Sequence, residues 1–194
     1  MNEELLRLKQ LLNGLGPLSD DDWIAFSLIW EPFSAKRKEL ITVAGDTEKY
    51  LYFVVEGVQR VYYFDEQGRE ATIVFTYAPS FGGVIDSLLL QQPSKYFYET
   101  LTTSIFLKTT FTELNLLLST RPALEALVFK GVVQVLSGVL ERVTELQCFT
   151  SEEKFRRLLF RSPHILQLVP HKYLANYIGI DATNFSKLIN RIKL

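Results

Sequence analysis

Apolar residues recur along this chain with two different periods, and the changes of period mark its segments. In residues 3–15, Leu5, Leu8, Leu11, Leu12 and Leu15 fall on one helical face, with Gly14 or Gly16 placed to end the helix. A second helix begins at Ser19, where Ser19 and Asp22 have capping-box spacing. Asp20, Asp21 and Asp22 complement its positive end, and Trp23, Phe26 and Ile24 are expected to supply its buried face. From about residue 30 to residue 108 the helical period disappears. Runs rich in Val, Ile, Tyr, Phe and Thr at 40–43, 50–55, 58–64, 71–77, 96–102 and 104–108 alternate with turns. Those turns are Ala44-Gly45-Asp46, Glu56-Gly57, Asp65-Glu66-Gln67-Gly68 and Ala78-Pro79-Ser80, the last leading into Phe81-Gly82-Gly83. Many short, evenly spaced strands predict an antiparallel sandwich or barrel of jelly-roll type.

The helical period returns at 112–118 and then dominates from Pro122 to about Gln147. Phe129, Val132, Leu136, Val139, Val143 and Leu146 are separated by alternating steps of three and four, an a/d seam that zips a helix against a copy of itself. Pro122 stands where a first helical turn tolerates it. Leu124, Leu127, Val128, Val135 and Leu140 widen the stripe, so that one flank can face a partner helix while the other lies on its own chain. Gly131 and Gly138 predict close backbone approach along one side. A helix packed only on its own core would carry a similar stripe; the seam favours a dimer helix that joins the segments on either side of it.

Beyond Cys148, Ser151-Glu152-Glu153-Lys154 opens a helix running to about Arg161, with Phe155, Leu158 and Leu159 inside, and Pro163 breaks it. Residues 164–169 form a short helix or connector. Residues 171–178 then carry Leu174, Ala175 and Ile178 inward, and Gly179 is suited to a sharp left-handed stop. Asp181 can cap a last helix over 182–194 with Phe185, Leu188, Ile189 and Ile192 inside. This is a helix-turn-helix pattern. Its outward residues, Thr183, Asn184, Ser186, Lys187, Asn190 and Arg191, are polar or basic, as a helix lying in a DNA major groove requires. An ordinary helical hairpin would share the spacing but not the basic face.

Charge sharpens the picture. Residues 1–150 hold 13 Lys and Arg against 19 Asp and Glu, a balance of −6, whereas residues 151–194 hold 8 against 3, a balance of +5; together they give the chain's −1. An acidic body with a basic tail points to an anionic partner for the tail. With 194 residues, 47% of them hydrophobic, the chain can bury a real core. Lys130 interrupts the longest apolar run, so no membrane span is expected, and the N-terminus lacks the pattern of a secretory signal. The single cysteine, Cys148, permits no internal disulfide and fits the cytoplasm. Enzyme classes find little support. Residues 1–150 contain no histidine for a cupin-type metal site, and neither a Ser-His-Asp arrangement nor a Walker-type loop is present. His164 and His171 lack a further metal ligand at useful spacing; His164 reads as a turn residue and His171 as a surface residue near a phosphate.

Nearly the whole chain resembles the Crp/Fnr group of bacterial transcription regulators. The resemblance rests on Ala44-Gly45-Asp46, on Tyr52-Phe53-Val54-Val55-Glu56-Gly57, on Asp65 to Glu70, on Phe81-Gly82 and on Leu174-Ala175-Asn176-Tyr177-Ile178-Gly179-Ile180. Pro163 and Pro170, with Arg156 and Arg157, look like the Bacteroidetes-type version. The resemblance implies an α+β chain: a cyclic-nucleotide-binding-like jelly roll with N-terminal helices (1–120), a dimerisation helix (121–148) and an all-α helix-turn-helix reader (149–194). The implied partners are double-stranded DNA, a second copy, RNA polymerase and a small-molecule effector of unknown identity.

The departures are specific. Nucleotide-binding members follow Phe-Gly with a Glu for the ribose and later place Arg-Ser or Arg-Thr against the cyclic phosphate. Here Gly83 takes the Glu position and Ser94-Lys95-Tyr96 stands near the Arg position. Without the guanidinium a phosphate loses a strong pair, and tight cAMP binding is not expected. The effector region would comprise Gly82, Gly83, Val84, Ile85, Asp86, Lys95 and Tyr96. Iron–sulfur and haem versions need cysteines or histidines that the first 147 residues lack. The reader has Ala182, Thr183, Asn184 and then Lys187 where the family often has Glu and Arg, so its target should differ. Lys172, Lys187, Arg191 and Lys193 would supply phosphate contacts. The sequence ends soon after the last helix, without the C-terminal β-wing of larger members. That, with the altered reader, leaves a second reading: a ligand-binding or protein-interaction module that no longer reads DNA.

Overall fold

The turn at Glu56-Gly57 sets the two-sheet arrangement. Gly57 has φ +91°, and a Cβ there would press on Thr103 O at 2.7 Å and Ser104 Cα at 2.8 Å, so the reversal needs glycine. It joins β3 (Tyr50–Glu56) to β4 (Val58–Phe64), which lie in different sheets. The computed structural model describes residues 2–191. One sheet has the order β1 (Glu31–Ala35), β8 (Ser104–Thr110), β3, β6 (Ser80–Gly82). The other has the order β2 (Leu40–Thr42), β7 (Phe97–Thr100), β4, β5 (Glu70–Tyr77). All pairings are antiparallel, giving the expected jelly-roll sandwich.

Strand β3 is buried on both faces, because each has something to cover it. Tyr52 and Val54 point between the sheets toward Ala35, Val61, Tyr98 and Phe106. Phe53 and Val55 point the other way, against Leu8 and Leu12 of α1 (Asn2–Leu15), Phe26 of α2 (Asp20–Ser27), Leu114 of α4 (Phe111–Thr120) and Leu124 and Leu127 of α5 (Pro122–Cys148). Ser19 caps α2 by accepting the Asp22 N–H at 3.1 Å. Ile24 does not join the buried face: Phe26 takes it, Trp23 is half-buried and Ile24 is exposed. Three elements escape the pattern of apolar positions: β1, α3 (Ile85–Leu90) and β6, whose Ser80 reads as part of a turn. Strand β1 contains Pro32, which an edge strand tolerates because its outer N–H needs no partner. Helix α3 is too short to show a period.

Helix α5 departs from expectation in how it divides its apolar stripe. Leu124 and Leu127 sit in the core, but Val135 and Leu140, expected against the helix's own chain, are exposed. They join Phe129, Leu136, Val139, Val143 and Leu146, all exposed, with Val132 half-buried. A Cβ on Gly131 would reach only Leu15 at 3.6 Å, and one on Gly138 would meet nothing within 4 Å. Helix α5 is also long and apolar enough to cross a membrane, Lys130 notwithstanding. Its first turns are nevertheless built into the core between the sandwich and the N-terminal helices, and Lys130 donates to the Leu15 carbonyl of α1.

The last segment contains α6 (Ser151–Arg161), α7 (Ile165–Leu168), α8 (His171–Tyr177) and α9 (Ala182–Arg191). Helix α6 opens at Ser151 as expected, with Thr150 before it as the cap, in a reciprocal capping box with Glu153. Ile192, Lys193 and Leu194, expected to belong to the last helix, lie outside the described residues. Phe155, Leu158, Ile165, Leu174, Ala175, Ile178, Phe185 and Leu188 form one core, and Val58 and Leu101 of the sandwich belong to it. The C-terminal helices therefore pack onto the sandwich through continuous apolar contact.

Candidate functional site

Helix α8 ends as its sequence predicts. Gly179 adopts φ +66°, and Ile180 N–H returns to the Ala175 carbonyl at 3.0 Å. Asp181 then caps α9 by accepting the Asn184 N–H at 2.8 Å. Ala175 is buried at the crossing, and Phe185 packs edge-on to Phe155 with centroids 5.3 Å apart. That fixes which side of α9 looks outward. Thr183, Ser186, Lys187, Asn190 and Arg191 lie on that side, and all five are exposed. Asn184, expected there, is half-buried and donates instead to Ser151 Oγ of α6 at 3.3 Å. Ser186 Oγ donates back to the Ala182 carbonyl at 2.9 Å, leaving its lone pairs outward. Arg191 lies 3.9 Å from Glu152 in an exposed, weak pair. Lys172, one helix away, is exposed with its ammonium 4.5 Å from the Tyr173 ring. His171 and His164 are exposed, and Lys193 lies outside the described residues. Among those residues no three His, Cys, Asp or Glu side chains gather into a metal-holding group.

The C-terminal helices are clasped to the sandwich by polar groups, of which only Arg60 stands out in the sequence. The Asn176 carboxamide bonds the open edge of β5 twice, accepting the Thr72 N–H at 2.6 Å and donating to the Glu70 carbonyl at 2.7 Å. Phe75 of β5 lies 5.1 Å from the Tyr177 ring, and the Tyr77 and Ser162 hydroxyls share a 2.5 Å hydrogen bond. On β4, Arg60 is 3% exposed and donates to Glu99 at 2.9 Å and Glu70 at 2.7 Å. Its guanidinium is sandwiched between the rings of Tyr62, at 4.0 Å, and Tyr173 of α8, at 3.9 Å. Burial opposes its charge, yet the bonds to Glu70 and Glu99 prevail and hold its pKa above the ordinary value. A lone Arg within the apolar Val58–Phe64 strand was the available signal.

At the far end of α5, Arg142 stacks on Tyr177 at 3.8 Å, and burial lowers its pKa. Buried Glu145 binds Arg161 of α6 through both oxygens, and Arg161 also reaches Glu141 at 3.1 Å. The angle between long helix and reader is thus set by packed charges and rings.

The expected effector residues do not surround an open space. Gly82, Gly83 and Val84 are buried, Ile85 and Tyr96 are half-buried, and Asp86 and Lys95 face solvent. Rings fill the interior between the sheets: Tyr52 has Phe106 at 5.5 Å, Tyr98 at 5.8 Å, Phe33 at 5.9 Å and Tyr50 at 6.1 Å. A Cβ on Gly82 would collide with the Tyr98 hydroxyl. Burial, with the nearby Glu48 charge adding to it, pushes the Tyr52 hydroxyl pKa far up; burial does the same to Tyr98. One cavity, of about 520 Å³, lies instead between sandwich and reader, lined by Arg37, Leu101, Leu166, Val169 and His171.

No protein-family model matches the sequence, and no curated protein does. Solved structures do match in fold. FixK2 from Bradyrhizobium japonicum is 16% identical over 84% of this chain and 84% of its own, with a TM-score of 0.75. The c-di-GMP-responsive global regulator CLP of Xanthomonas campestris is 14% identical over 89% of this chain and 91% of its own, with a TM-score of 0.67. The catabolite activator protein of Thermus thermophilus is 18% identical over 90% of this chain and 83% of its own, with a TM-score of 0.56. The fold is the Crp/Fnr one.

Proposed function

We propose that this chain is a homodimeric, DNA-binding transcription regulator of the Crp/Fnr type, acting in the cytoplasm, with a sensor that does not bind cAMP tightly. The observation that carries the reading is the outward face of α9. Thr183, Ser186, Lys187 and Arg191 stand exposed, with Asn190 among them, on a helix held by an Asp181 cap and a Gly179 turn, and Lys172 lies alongside. Hydroxyl, amide and cationic groups on a rigid helix are what base edges and phosphates bind. The bare apolar stripe on α5 supports pairing with a second copy, which would place two readers in successive major grooves. RNA polymerase would then be the downstream partner.

Selection from a random DNA pool with purified protein tests this. A two-fold palindrome is expected among the retained sequences, and Lys187→Ala or Arg191→Ala should weaken binding. Each lost phosphate contact should lower the slope of log K against log salt by about 1, hence about 2 in a two-fold dimer. Retention of no preferred sequence, with binding indifferent to both substitutions, would favour a module that no longer reads DNA.

A further inference from the structure

We propose that Glu48 is a resident anion: its carboxylate fills, from within the chain, a seat of converging N–H groups in the sensor, so that the sensor is set without a diffusible phosphate or carboxylate effector. The regulatory half of this statement rests on the DNA-binding reading; the occupied seat does not.

Glu48 is 3% exposed, as buried as Arg60. Arg60 and Glu145, the other deeply buried charges, have partners of opposite sign. Among the described residues no Lys, Arg or His side chain lies within ion-pair distance of Glu48. A carboxylate removed from water without a cation is costly unless hydrogen bonds replace its hydration, and here both oxygens are supplied. Oε1 accepts the backbone N–H groups of Lys49 at 3.0 Å and Tyr50 at 3.2 Å. Oε2 accepts the Thr42 hydroxyl and the Val84 N–H, the latter at 3.3 Å. Its own N–H donates to Ser87 Oγ at 2.9 Å, and Ser87 donates onward to the Gln92 carbonyl at 2.6 Å. The carboxylate therefore ties β2, the start of β3 and the turn after β6, and the Glu48 N–H adds helix α3.

The surroundings are shaped to it. Gly83 has φ +108°, and a Cβ there would come 3.3 Å from both Tyr50 O and Tyr52 Cδ2 and 3.5 Å from Glu48 Oε2. The turn thus wraps the carboxylate closely. The Tyr52 and Tyr98 rings fill the space beside it. An incoming phosphate or carboxylate would find its N–H donors already engaged and would meet a fixed negative charge. Sequence departures at Gly83 and at Ser94-Lys95-Tyr96 argue against a cyclic nucleotide in particular. Glu48 argues against any small anion at that turn, and for an independent reason.

Thermal melts of the full chain test the idea, with wild type, Glu48→Ala and Glu48→Gln each titrated with formate, inorganic phosphate and cAMP. The wild-type Tm should not move with any of the three. Glu48→Ala should melt roughly 5 °C lower, since three N–H groups and a hydroxyl lose their acceptor, and formate should recover part of that loss. Glu48→Gln should also melt lower, because its NH₂ faces donors, and formate should not help because the seat is still filled. A saturable rise of the wild-type Tm with phosphate or cAMP would overturn the proposal. So would a Glu48→Ala protein that melts with the wild type or ignores formate. Should Glu48→Ala fail to fold, a Glu48→Gln melt coincident with wild type overturns it. None of these readings involves DNA, so failure of the regulator hypothesis leaves them intact.

Discussion

Asn176 closes the edge of β5 at Thr72: its side-chain oxygen accepts the Thr72 N–H at 2.6 Å across 104 residues of sequence. A free strand edge is a template for unwanted pairing, and here a side chain of α8 covers part of one. Asn176→Ala leaves the Thr72 N–H and the Glu70 carbonyl without these partners. A loss of about 1–3 kcal/mol is expected, or roughly 3–8 °C in Tm. Amide hydrogen exchange should quicken at Thr72 and along α8, while the distant β1–β8 pair keeps its protection. Unchanged exchange at Thr72 would mean that the clasp is not formed in solution.

The charges at the foot of α5 should separate by burial. The Glu145 side chain is 7% exposed, and its removal leaves Arg161, beside Arg142, with only the exposed Glu141; Glu145→Ala should cost about 2–4 kcal/mol. Glu141, at 64% exposed, binds the same guanidinium, but its loss should cost under about 1 kcal/mol. Urea midpoints of the two variants give the comparison, and equal midpoints would contradict the assigned burial.

Two leucines of α5 should report different things. Leu124 is 1% exposed in the core between the sandwich and its N-terminal helices, so Leu124→Ala should destabilise the fold by about 2–5 kcal/mol. Leu136 is 54% exposed, and Leu136→Glu should leave the fold of the single chain intact while abolishing self-association. Sedimentation with circular dichroism distinguishes these outcomes. A wild-type chain that sediments as a monomer would remove the proposed role of the seam.

Alkaline pH offers a separate probe of the packed sandwich interior. Burial, then the Glu48 charge, raise the Tyr52 pKa above its ordinary value of 10.0. A raised folded pKa favours the neutral hydroxyl, so this stability is fully present below about pH 10 and is lost as pH rises beyond it. The Tm should be insensitive to this group up to about pH 10 and then fall. Tyr52→Phe, which has no proton to lose, should fall less steeply. Equal slopes would mean that Tyr52 ionises as it does in water.

Much of this architecture is written locally in the chain. Runs of β-branched and aromatic residues between turns mark β3, β4 and β5, and the three-four spacing marks α5, because side-chain direction repeats every 3.6 residues in a helix. Gly57, Gly179 and Asp181 are equally legible, since a positive φ or a helix cap involves only residues a few positions away. The outward face of α9 follows from that same periodicity, apart from Asn184, which Ser151 of another helix draws aside. Long-range packing decides what remains. Arg60 and Glu99 are 39 residues apart, and Asn176 and Glu70 are 106 apart. In a sequence such polar residues look like solvated ones. Whether they are buried depends on which segments come to lie against them, as does the depth at which α5 passes from core helix to bare stripe. The same holds for Glu48: four donors from three separate segments turn an ordinary-looking glutamate into part of the interior.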